Sequence, residues 1–257
     1  MKLKSLLAVG IATLALTTGA ALAEPIKIGI AAEPYPPFMS PDAAGNWVGW
    51  EIEIIDAICK ASELECVITP TAWDGIIPSL TGKQIDAIVA SMSITEERMQ
   101  TIDFSDKYYN TPTVVIADKS ADITATPEGL AGKILGVQAS TVHQSYAQQY
   151  FTGAAEIRVY QTQDEANQDL ASGRIDAIQA DSIAMADFVA SEAGACCEIK
   201  GAVADDPAIL GLGVGVGVRK GEDELREKFN AGIKAIRADG TYDEITKKYF
   251  AMDIYGG

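Results

Sequence analysis

The stretch QIDAIVASMSITEERMQTIDFS, residues 84–105, decides the fold of this chain. Its apolar residues 85–90 indicate a short buried strand, and Thr95 is a suitable N-cap for a helix that follows. Part of this sequence returns later, because GKQIDAI, residues 82–88, is echoed by GRIDAI, residues 173–178. Each copy combines a helix end, a tight turn and a buried strand, so we expect two similar lobes.

Polar side chains follow the buried strand of each copy. Ser91 and Ser93 are spaced i, i+2 and point the same way if the chain is extended there. Arg98, in the first turn of the helix, can fold back over them, and its planar fork of donors suits a small carboxylate. Asp181 lies beyond the echoed strand. Two lobes that face each other would therefore aim Arg98 and Asp181 into one cleft.

A simpler interpretation of Arg98 is an ion pair on a solvated helix face, since exposed ion pairs are common and weak. The candidate partners are Glu96, Glu97 and Asp103. In the same way, Asp181 could serve only as the N-cap of a helix that begins at Ser182. The two interpretations differ in whether these side chains meet a ligand.

The rest of the chain alternates strands with amphipathic helices, which is typical of an α/β protein. A first series precedes residue 84, and a second series begins at Ile134. We predict an α/β fold of two lobes, each with a mainly parallel sheet flanked by helices. Residues 222–238 have the apolar spacing of a helix, and Thr241 with Glu244 has the spacing of a capping box for the last helix.

The first 23 residues have the pattern of a secretory signal peptide. A basic start, with Lys2 and Lys4, precedes an apolar core at residues 6–16 and a small-x-small site at residues 21–23. The mature chain would begin at Glu24 and reside in the periplasm. The formal charge of −16 becomes −18 without the two lysines, so a nucleic-acid partner would be repelled.

Four cysteines fit an oxidising compartment. Cys59 and Cys66 close a short loop between a helix and the next strand, and we predict a disulfide between them. Cys196 and Cys197 are adjacent, and a vicinal disulfide requires a strained ring. Two free thiols and a labile redox pair therefore both stay open.

Residues with catalytic or metal-binding chemistry are few. His143 is the single histidine, so a histidine-rich metal site is excluded and a Ser-His-Asp set would have to use it. The sequence contains no G-x-S-x-G, H-E-x-x-H, C-x-x-C or Walker motif. We expect a binding protein without metal or cofactor rather than an enzyme, with His143 as a polar lining residue.

A free amino acid would satisfy several of these side chains together. Its carboxylate could bind Arg98, and its ammonium group could bind Asp181. Tyr35, in a rigid proline-rich loop, and Trp73 could clamp the ligand side chain. A cation on that side chain would gain from the ring faces and from Glu33.

Six motifs carry a resemblance to a known family. They are YPPF (35–38), GWEI (49–52), WDGIIPSL (73–80), SMSITEER (91–98), DFSDKYY (103–109) and DGTY (239–242). Over essentially the whole mature chain, the sequence resembles the periplasmic polar amino-acid binding proteins of ABC importers. The lysine/arginine/ornithine-, histidine- and opine-binding members are the most similar types.

The resemblance implies two lobes, joined by two hinge strands, that close on an amino acid. One lobe would comprise residues 24–111 and 208–257, and the other residues 112–207. The implied ligand is a polar, cationic amino acid or an opine-like derivative. The implied partner is a membrane ABC permease complex, bound transiently by a monomer. In this family a bridge like that between Cys59 and Cys66 has a counterpart in the basic amino-acid binders.

The resemblance also implies a ligand-binding set. Arg98 would clamp the carboxylate, Asp181 would take the ammonium group, Ser91 and Ser93 would add hydrogen bonds, and two aromatic rings would sandwich the side chain. The full set is Glu33, Tyr35, Trp73, Ala90, Ser91, Ser93, Arg98, Gln138, Thr141, Val142, His143 and Asp181.

Three departures from the family pattern affect the ligand contacts. Ala32 stands where the basic amino-acid binders carry an acid, with Glu33 beside it. Val142 replaces a glycine or threonine, and the adjacent cysteines 196 and 197 are not a feature of those members. A small-acid dehydratase or lyase on the same fold is an alternative, with Glu33 or His143 as its acid or base. A redox protein that uses the two adjacent cysteines is a weaker one.

Overall fold

A computed structural model describes residues 24–256, so the predicted signal peptide, residues 1–23, lies outside the described residues. This part of the chain contains twelve strands, nine α-helices and one short 3-10 helix, Trp73–Gly75. The strands are β1 (Ile26–Ala31), β2 (Ser40–Pro41), β3 (Trp47–Val48), β4 (Cys66–Thr71), β5 (Ala87–Ile88), β6 (Ile102–Tyr109), β7 (Thr113–Asp118), β8 (Ile134–Gln138), β9 (Glu156–Tyr160), β10 (Ala177–Asp181), β11 (Cys197–Ala202) and β12 (Val214–Arg219). The helices are α1 (Trp50–Ala61), α2 (Ile76–Thr81), α3 (Glu96–Met99), α4 (Val142–Tyr150), α5 (Gln163–Ala171), α6 (Ser182–Ala190), α7 (Pro207–Leu210), α8 (Asp223–Ala238) and α9 (Thr241–Tyr249).

Two five-stranded sheets form the two lobes. The first has the strand order β4-β1-β5-β12-β6, and the second has the order β11-β7-β10-β8-β9. In each sheet three neighbouring strands are parallel, β4-β1-β5 and β10-β8-β9, and the remaining pairings are antiparallel. Each lobe is thus a parallel βαβαβ unit extended by two further strands.

The echoed motif occupies equivalent positions in the two sheets. Its first copy leads into β5 beside β1, and its second copy leads into β10 beside β8. In the first copy the Asp86 carboxylate accepts a hydrogen bond from the Lys27 amide at 3.0 Å. In the second copy the Asp176 carboxylate accepts one from the Ile134 amide at 2.8 Å. The same contact therefore fixes the start of the first strand of each parallel βαβαβ unit, β1 in one lobe and β8 in the other.

The chain crosses between the lobes twice. It leaves the first sheet at the end of β6, Tyr109, and enters the second at the start of β7, Thr113. It returns between Ala202 in β11 and Val214 in β12. Neither β6 nor β11 was predicted from the sequence. The strand predicted at residues 85–90 is shorter in the structure, where β5 has two residues. The crossovers bring the strand ends of both lobes to one interface.

Helix α1 is anchored to the first lobe by tight packing against α8. Ile54, Ile55 and Ile58 on α1 are at most 1% exposed, and Phe229 on α8 is equally buried. A Cβ atom at Gly232 would lie 2.8 Å from the Ile58 carbonyl oxygen, so glycine permits this close approach of the helices. The position of α1 matters because Glu51 in its first turn bonds to Ser91, which lines the cleft.

The last helix, α9, begins differently from the prediction. Its N-cap is Gly240, which has a φ of +86° and no side chain, and the preceding Asp239 accepts from the Thr241 amide through Oδ1 at 2.9 Å. Thr241 is instead the first helical residue, so the predicted capping box with Glu244 is wrong. The short turn after α8 needs a left-handed residue, which glycine supplies at low cost. A capping box is found at the start of α5, between Thr162 and Glu165.

The disulfide between Cys59 and Cys66 is present, as predicted, and links the end of α1 to the start of β4. Cys196 and Cys197 are free cysteines, the first half-buried and the second buried. In this structure the two adjacent cysteines are therefore thiols and do not form a vicinal disulfide. Within residues 24–256, no helix is long and apolar enough to cross a membrane.

Reduction of the Cys59–Cys66 disulfide is expected to lower the free energy of unfolding by about 2 kcal/mol, because the open loop gains entropy in the unfolded chain. Urea denaturation with and without reductant measures this difference. A variant with Cys59→Ala and Cys66→Ala serves as the control and should not respond to reductant. Equal midpoints for the oxidised and reduced wild-type protein would contradict the prediction.

Candidate functional site

A cavity lies between the lobes. Eleven of the twelve residues predicted from the sequence line it, from Glu33 in the first lobe to His143 in the second. The twelfth, Asp181, lines an adjoining cavity that shares Tyr35, Ser91, Ser93, Val142 and His143 with the first. The fold therefore gathers the predicted set at one interface between the lobes.

Arg98 is positioned by the short helix α3. The Thr95 hydroxyl caps this helix by accepting from the Arg98 amide at 3.2 Å. The guanidinium donates from Nη1 to the Ser93 carbonyl at 2.9 Å and from Nη2 to the Ser140 carbonyl of the other lobe at 3.2 Å. Burial lowers the pKa of Arg98 to about 10, so the side chain stays charged at neutral pH.

The solvated ion pair considered for Arg98 is wrong. Among residues 24–256, no carboxylate pairs with Arg98, and Asp103 instead accepts from Lys220 Nζ at 2.7 Å. A partly buried cation without a counterion destabilises the protein, because no ion pair offsets the hydration that the charge has lost. An anionic ligand could therefore supply the countercharge that Arg98 lacks.

Trp73 connects the two lobes across the cavity. Its indole Nε1 donates to the Ala139 carbonyl of the second lobe at 3.1 Å. The Arg98 guanidinium carbon lies 5.6 Å from the centroid of the Trp73 ring, within cation–π range. The hydrogen bonds from Trp73 to Ala139 and from Arg98 to Ser140 therefore join the two lobes across the cavity.

Ser91 does not have the extended conformation that was predicted. Its φ is +53°, in the left-handed region, so its side chain does not run parallel to that of Ser93. The Ser91 amide donates to Glu51 Oε1 at 2.8 Å, and its hydroxyl donates to Glu51 Oε2 at 3.1 Å. These two bonds compensate for the unfavourable backbone conformation.

Glu51 is a site residue that the sequence analysis missed. It is fully buried in the first turn of α1, and its Oε1 also accepts a hydrogen bond from the Tyr108 hydroxyl. Burial raises the pKa of Glu51 to about 7. A signal was available in the sequence, because Glu51 lies four residues before Ile55 and shares its buried helix face.

Asp181 ends β10 and is the N-cap of α6, as the simpler interpretation proposed. Its Oδ1 accepts from the Ile183 amide at 2.8 Å, the Ala184 amide at 3.2 Å and the Thr111 hydroxyl at 3.2 Å. Among the described residues, nothing donates to Oδ2. The side chain is 6% exposed, and burial raises the pKa of Asp181 to about 6. Capping occupies one oxygen and leaves the other to the cavity.

Glu33 and Tyr35 line the side of the cavity that contacts Trp73. Both carboxylate oxygens of Glu33 accept from the Trp73 amide, at 3.2 and 3.3 Å. The Tyr35 ring stacks on the fully buried Phe38, with centroids 5.8 Å apart. Burial, followed by the nearby Asp181, raises the pKa of Tyr35 well above its usual value. This part of the cavity therefore combines aromatic faces with one carboxylate.

The second lobe contributes the loop before α4. The Thr141 hydroxyl accepts from the Gln144 amide at 3.2 Å and donates to the Gln138 carbonyl at 2.7 Å, which fixes the start of the helix. Val142 and His143 are the first two residues of α4 and line the cavity. Their amides have no acceptor within the helix, so they are available to an anion.

His143 is held neutral. Its Nδ1 lies 3.2 Å from the Thr113 hydroxyl, and burial lowers its pKa to about 4, with the charge of Arg98 as a smaller cause. Gln163, at the start of α5, is a further lining residue that the sequence analysis did not name. No group of histidine, cysteine, aspartate or glutamate side chains within residues 24–256 could hold a metal ion.

Comparison with known proteins agrees with this geometry. Residues 26–252 match the model of the bacterial extracellular solute-binding proteins, family 3. The chain belongs to this family. Membership in family 3 confirms the relationship inferred from the six motifs, and it places the protein outside the cytoplasmic membrane, as the leader sequence predicted.

Individual family-3 proteins are similar over almost the whole chain. The L-arginine-binding protein of Pseudomonas aeruginosa is 41% identical, covering 99% of this chain and 98% of the relative. The lysine/arginine/ornithine-binding periplasmic protein of Escherichia coli is 39% identical, covering 98% and 99%. An ancestral arginine-binding protein bound to arginine has a TM-score of 0.82 at 32% identity, covering 90% of this chain and 100% of that one. These likenesses confirm the two-lobed fold.

Proposed function

We propose that this family-3 protein binds an amino acid with a cationic side chain between its lobes and delivers it to a membrane ABC permease. One observation carries the proposal. Within residues 24–256, Arg98 has no carboxylate in ion-pair contact and Oδ2 of Asp181 has no donor, and the two side chains line adjoining cavities between the lobes. A zwitterion matches this separation of charge, since it brings an anion and a cation on one carbon atom.

Each end of the amino acid has its own partners. The carboxylate binds the Arg98 guanidinium and the first amides of α4, which add the positive end of a helix. The α-ammonium group binds Asp181. The ligand side chain lies between the rings of Tyr35 and Trp73, where a cation is attracted by the ring faces and by the Glu33 carboxylate.

Ligand binding acts on the equilibrium between open and closed lobes. An amino acid that contacts Arg98 in one lobe and Asp181 in the other is bound fully only in the closed state, so it shifts the population towards that state. We assign residues 24–111 and 208–257 to one lobe and residues 112–207 to the other. The membership of the two sheets supports this division. A permease would then recognise the closed monomer.

A dehydratase or lyase activity is not favoured. Its candidate acid or base, Glu33, already accepts hydrogen bonds from the Trp73 amide, and His143 has a hydroxyl rather than a carboxylate as its partner. General acid–base catalysis needs a group that is free to exchange a proton near the operating pH. The relatives in the comparison bear the names of binding proteins.

A thermal-shift screen tests the proposed function. Protein that has been unfolded and refolded to remove bound ligand is incubated with single amino acids, opines and polyamines. We expect the largest rise in Tm with arginine, lysine or ornithine, because ligands stabilise the state that they bind. No rise with any zwitterion, together with a rise for an amine or a dicarboxylic acid, would contradict the proposal.

Trp73→Phe is expected to weaken amino-acid binding by about tenfold, because the ring remains but the bond from Nε1 to the Ala139 carbonyl is lost. Since that bond joins the lobes, the loss should appear mainly as faster dissociation of the ligand. Stopped-flow and equilibrium titrations measure both quantities. Trp47→Phe, in the hairpin of β2 and β3, is the control. Unchanged dissociation from the Trp73 variant would contradict the closing role of this bond.

A further inference from the structure

We infer that Glu51 is a positioning residue that fixes the Ser91 hydroxyl as a hydrogen-bond acceptor for the α-ammonium group of the amino acid. The inference deepens the proposed function and rests on it. Glu51 itself does not line either cavity. It acts through Ser91, which lines both of them.

The direction of the hydrogen bond between Ser91 and Glu51 decides what the Ser91 hydroxyl can offer a ligand. Burial raises the pKa of Glu51 to about 7, so at pH 8 its carboxylate is mostly ionised, and an ionised carboxylate has no proton and can only accept hydrogen bonds. The bond of 3.1 Å from Ser91 Oγ to Glu51 Oε2 therefore uses the single proton of the Ser91 hydroxyl. Ser91 lines both cavities, and with its proton donated to the ionised Glu51 its hydroxyl can offer a ligand only lone pairs, so this side chain can accept from a ligand but cannot donate to it.

The other contacts of Glu51 keep this arrangement in place. Its Oε1 accepts from the Ser91 amide at 2.8 Å and from the Tyr108 hydroxyl, which fixes the orientation of the carboxylate. Tyr108 is fully buried, as is Glu51. The Ser91 backbone is held at a φ of +53°, which ordinary residues avoid. The packing of α1 and the two bonds to Ser91 together aim this hydroxyl.

The ammonium group is the ligand donor that fits this acceptor. Ser91 and Asp181 line the same cavity, and the Oδ2 of Asp181 also lacks a donor among the described residues. An ammonium group has three protons and needs several acceptors around it. A carboxylate beside Ser91 would instead meet lone pairs. Ser91 therefore belongs with Asp181 at the ammonium end of the ligand, while Arg98 holds the carboxylate.

Glu51→Gln reverses the polarity of Ser91 with little change in shape. The amide oxygen of glutamine can still accept from the Ser91 amide and from Tyr108. Its NH₂ group, however, donates to the Ser91 oxygen, so the hydroxyl proton turns towards the cavity and opposes the ammonium group. Glu53→Gln is the matched control on the same helix, because Glu53 bonds to Lys248 and Tyr249 away from the cavity.

The test compares L-arginine with 5-guanidinopentanoic acid, which is arginine without its α-amino group, by isothermal titration calorimetry at pH 8. We expect Glu51→Gln to weaken arginine binding about tenfold to a hundredfold and to change binding of the deamino compound by less than about threefold, because only arginine has the charged hydrogen bond. Glu53→Gln should leave both affinities unchanged. Equal weakening of both compounds by Glu51→Gln would overturn the inference, since it would show a merely structural role.

A second variant keeps the test decisive if Glu51→Gln does not fold. Ser91→Gly removes the hydroxyl and tolerates the positive φ. We expect it to reduce the preference for arginine over the deamino compound at least tenfold, and Glu51→Gln should have no further effect on that preference in this background. An unchanged preference in Ser91→Gly would overturn the inference. Wild-type protein that binds neither compound would instead contradict the proposed function.

Discussion

Arg98→Ala is expected to weaken amino-acid binding by a hundredfold to ten-thousandfold, or about 3–5 kcal/mol, while the protein keeps its fold. The ligand carboxylate would be buried in the closed cleft without its counterion, and the loss of that partner accounts for the size of the effect. The fold should survive because Arg98 donates to two carbonyl groups, those of Ser93 and Ser140, and pairs with no carboxylate in the part of the chain that the structure describes. Calorimetric titration with L-arginine and circular dichroism measure the two properties.

Two further variants separate charge from geometry at this position. Arg98→Lys keeps the charge but loses the planar fork, so we expect an intermediate loss of about tenfold to a hundredfold. Arg226→Ala is the control, because Arg226 pairs with Asp223 and Glu227 on the exposed face of α8. Agmatine, which lacks the carboxylate, should bind wild type and Arg98→Ala equally weakly. Full affinity of the alanine variant for arginine would refute the carboxylate role.

Asp181→Asn is expected to abolish measurable amino-acid binding and at the same time to stabilise the unliganded protein. The first effect follows because the ammonium group loses its charged partner, at a cost of a few kcal/mol. The second follows because a buried carboxylate without a countercharge destabilises the fold once it is ionised. Asparagine caps a helix as well as aspartate does, so α6 should be unaffected. Stability and function are therefore opposed at this residue.

The sign of the pH dependence can be derived from the pKa of Asp181, which burial raises to about 6. In the unfolded chain an aspartate loses its proton near pH 4. The folded protein keeps that proton up to about pH 6, so this group stabilises the unliganded fold at low pH and loses that contribution as the pH rises from about 4 to 6. At pH 8 the ionised carboxylate costs about 1–3 kcal/mol, which Asp181→Asn should recover.

The same titration predicts how ligand binding responds to acid. The ammonium group needs the ionised forms of Asp181 and of Glu51, whose pKa values burial raises to about 6 and about 7, so affinity should level off near pH 8 and should fall below pH 6 by about tenfold per unit or more. Urea denaturation of refolded protein and titrations between pH 5 and pH 8 measure the two dependences. Asp187→Asn, on the exposed side of α6, is the control. An Asp181→Asn protein that binds arginine normally, or that is less stable than wild type at pH 8, would contradict this account.

The sequence predicted much of the fold because the lobes repeat a local pattern. The echoed motif places an aspartate, Asp86 or Asp176, beside the first strand of each parallel unit, β1 or β8. Each carboxylate accepts a hydrogen bond from a backbone amide of that strand. Strands β6 and β11 escaped prediction for a physical reason. They extend each sheet through antiparallel pairing with β12 and β7, which is a long-range interaction, and their polar residues give no regular alternation.

The site, too, could be predicted only in part from the sequence. Residue types and spacing identified Arg98 and Asp181, because charged groups that follow a buried strand emerge at its end. The same reasoning failed for Ser91, whose left-handed backbone is imposed by Glu51 from another helix, forty positions away. An interaction over that distance in the chain cannot be derived from local periodicity. It is also the interaction that gives the site its acceptor for the ammonium group.

Titration of refolded, ligand-free protein with L-arginine shows whether one amino acid bridges the two lobes. Isothermal calorimetry gives the stoichiometry, and small-angle X-ray scattering of the same samples gives the radius of gyration. We predict one saturable site per chain and a smaller radius in the liganded protein, as the lobes close. Two results would contradict this mechanism. One is the absence of binding heat with arginine, lysine and ornithine, and the other is saturation of the site without a decrease in the radius of gyration.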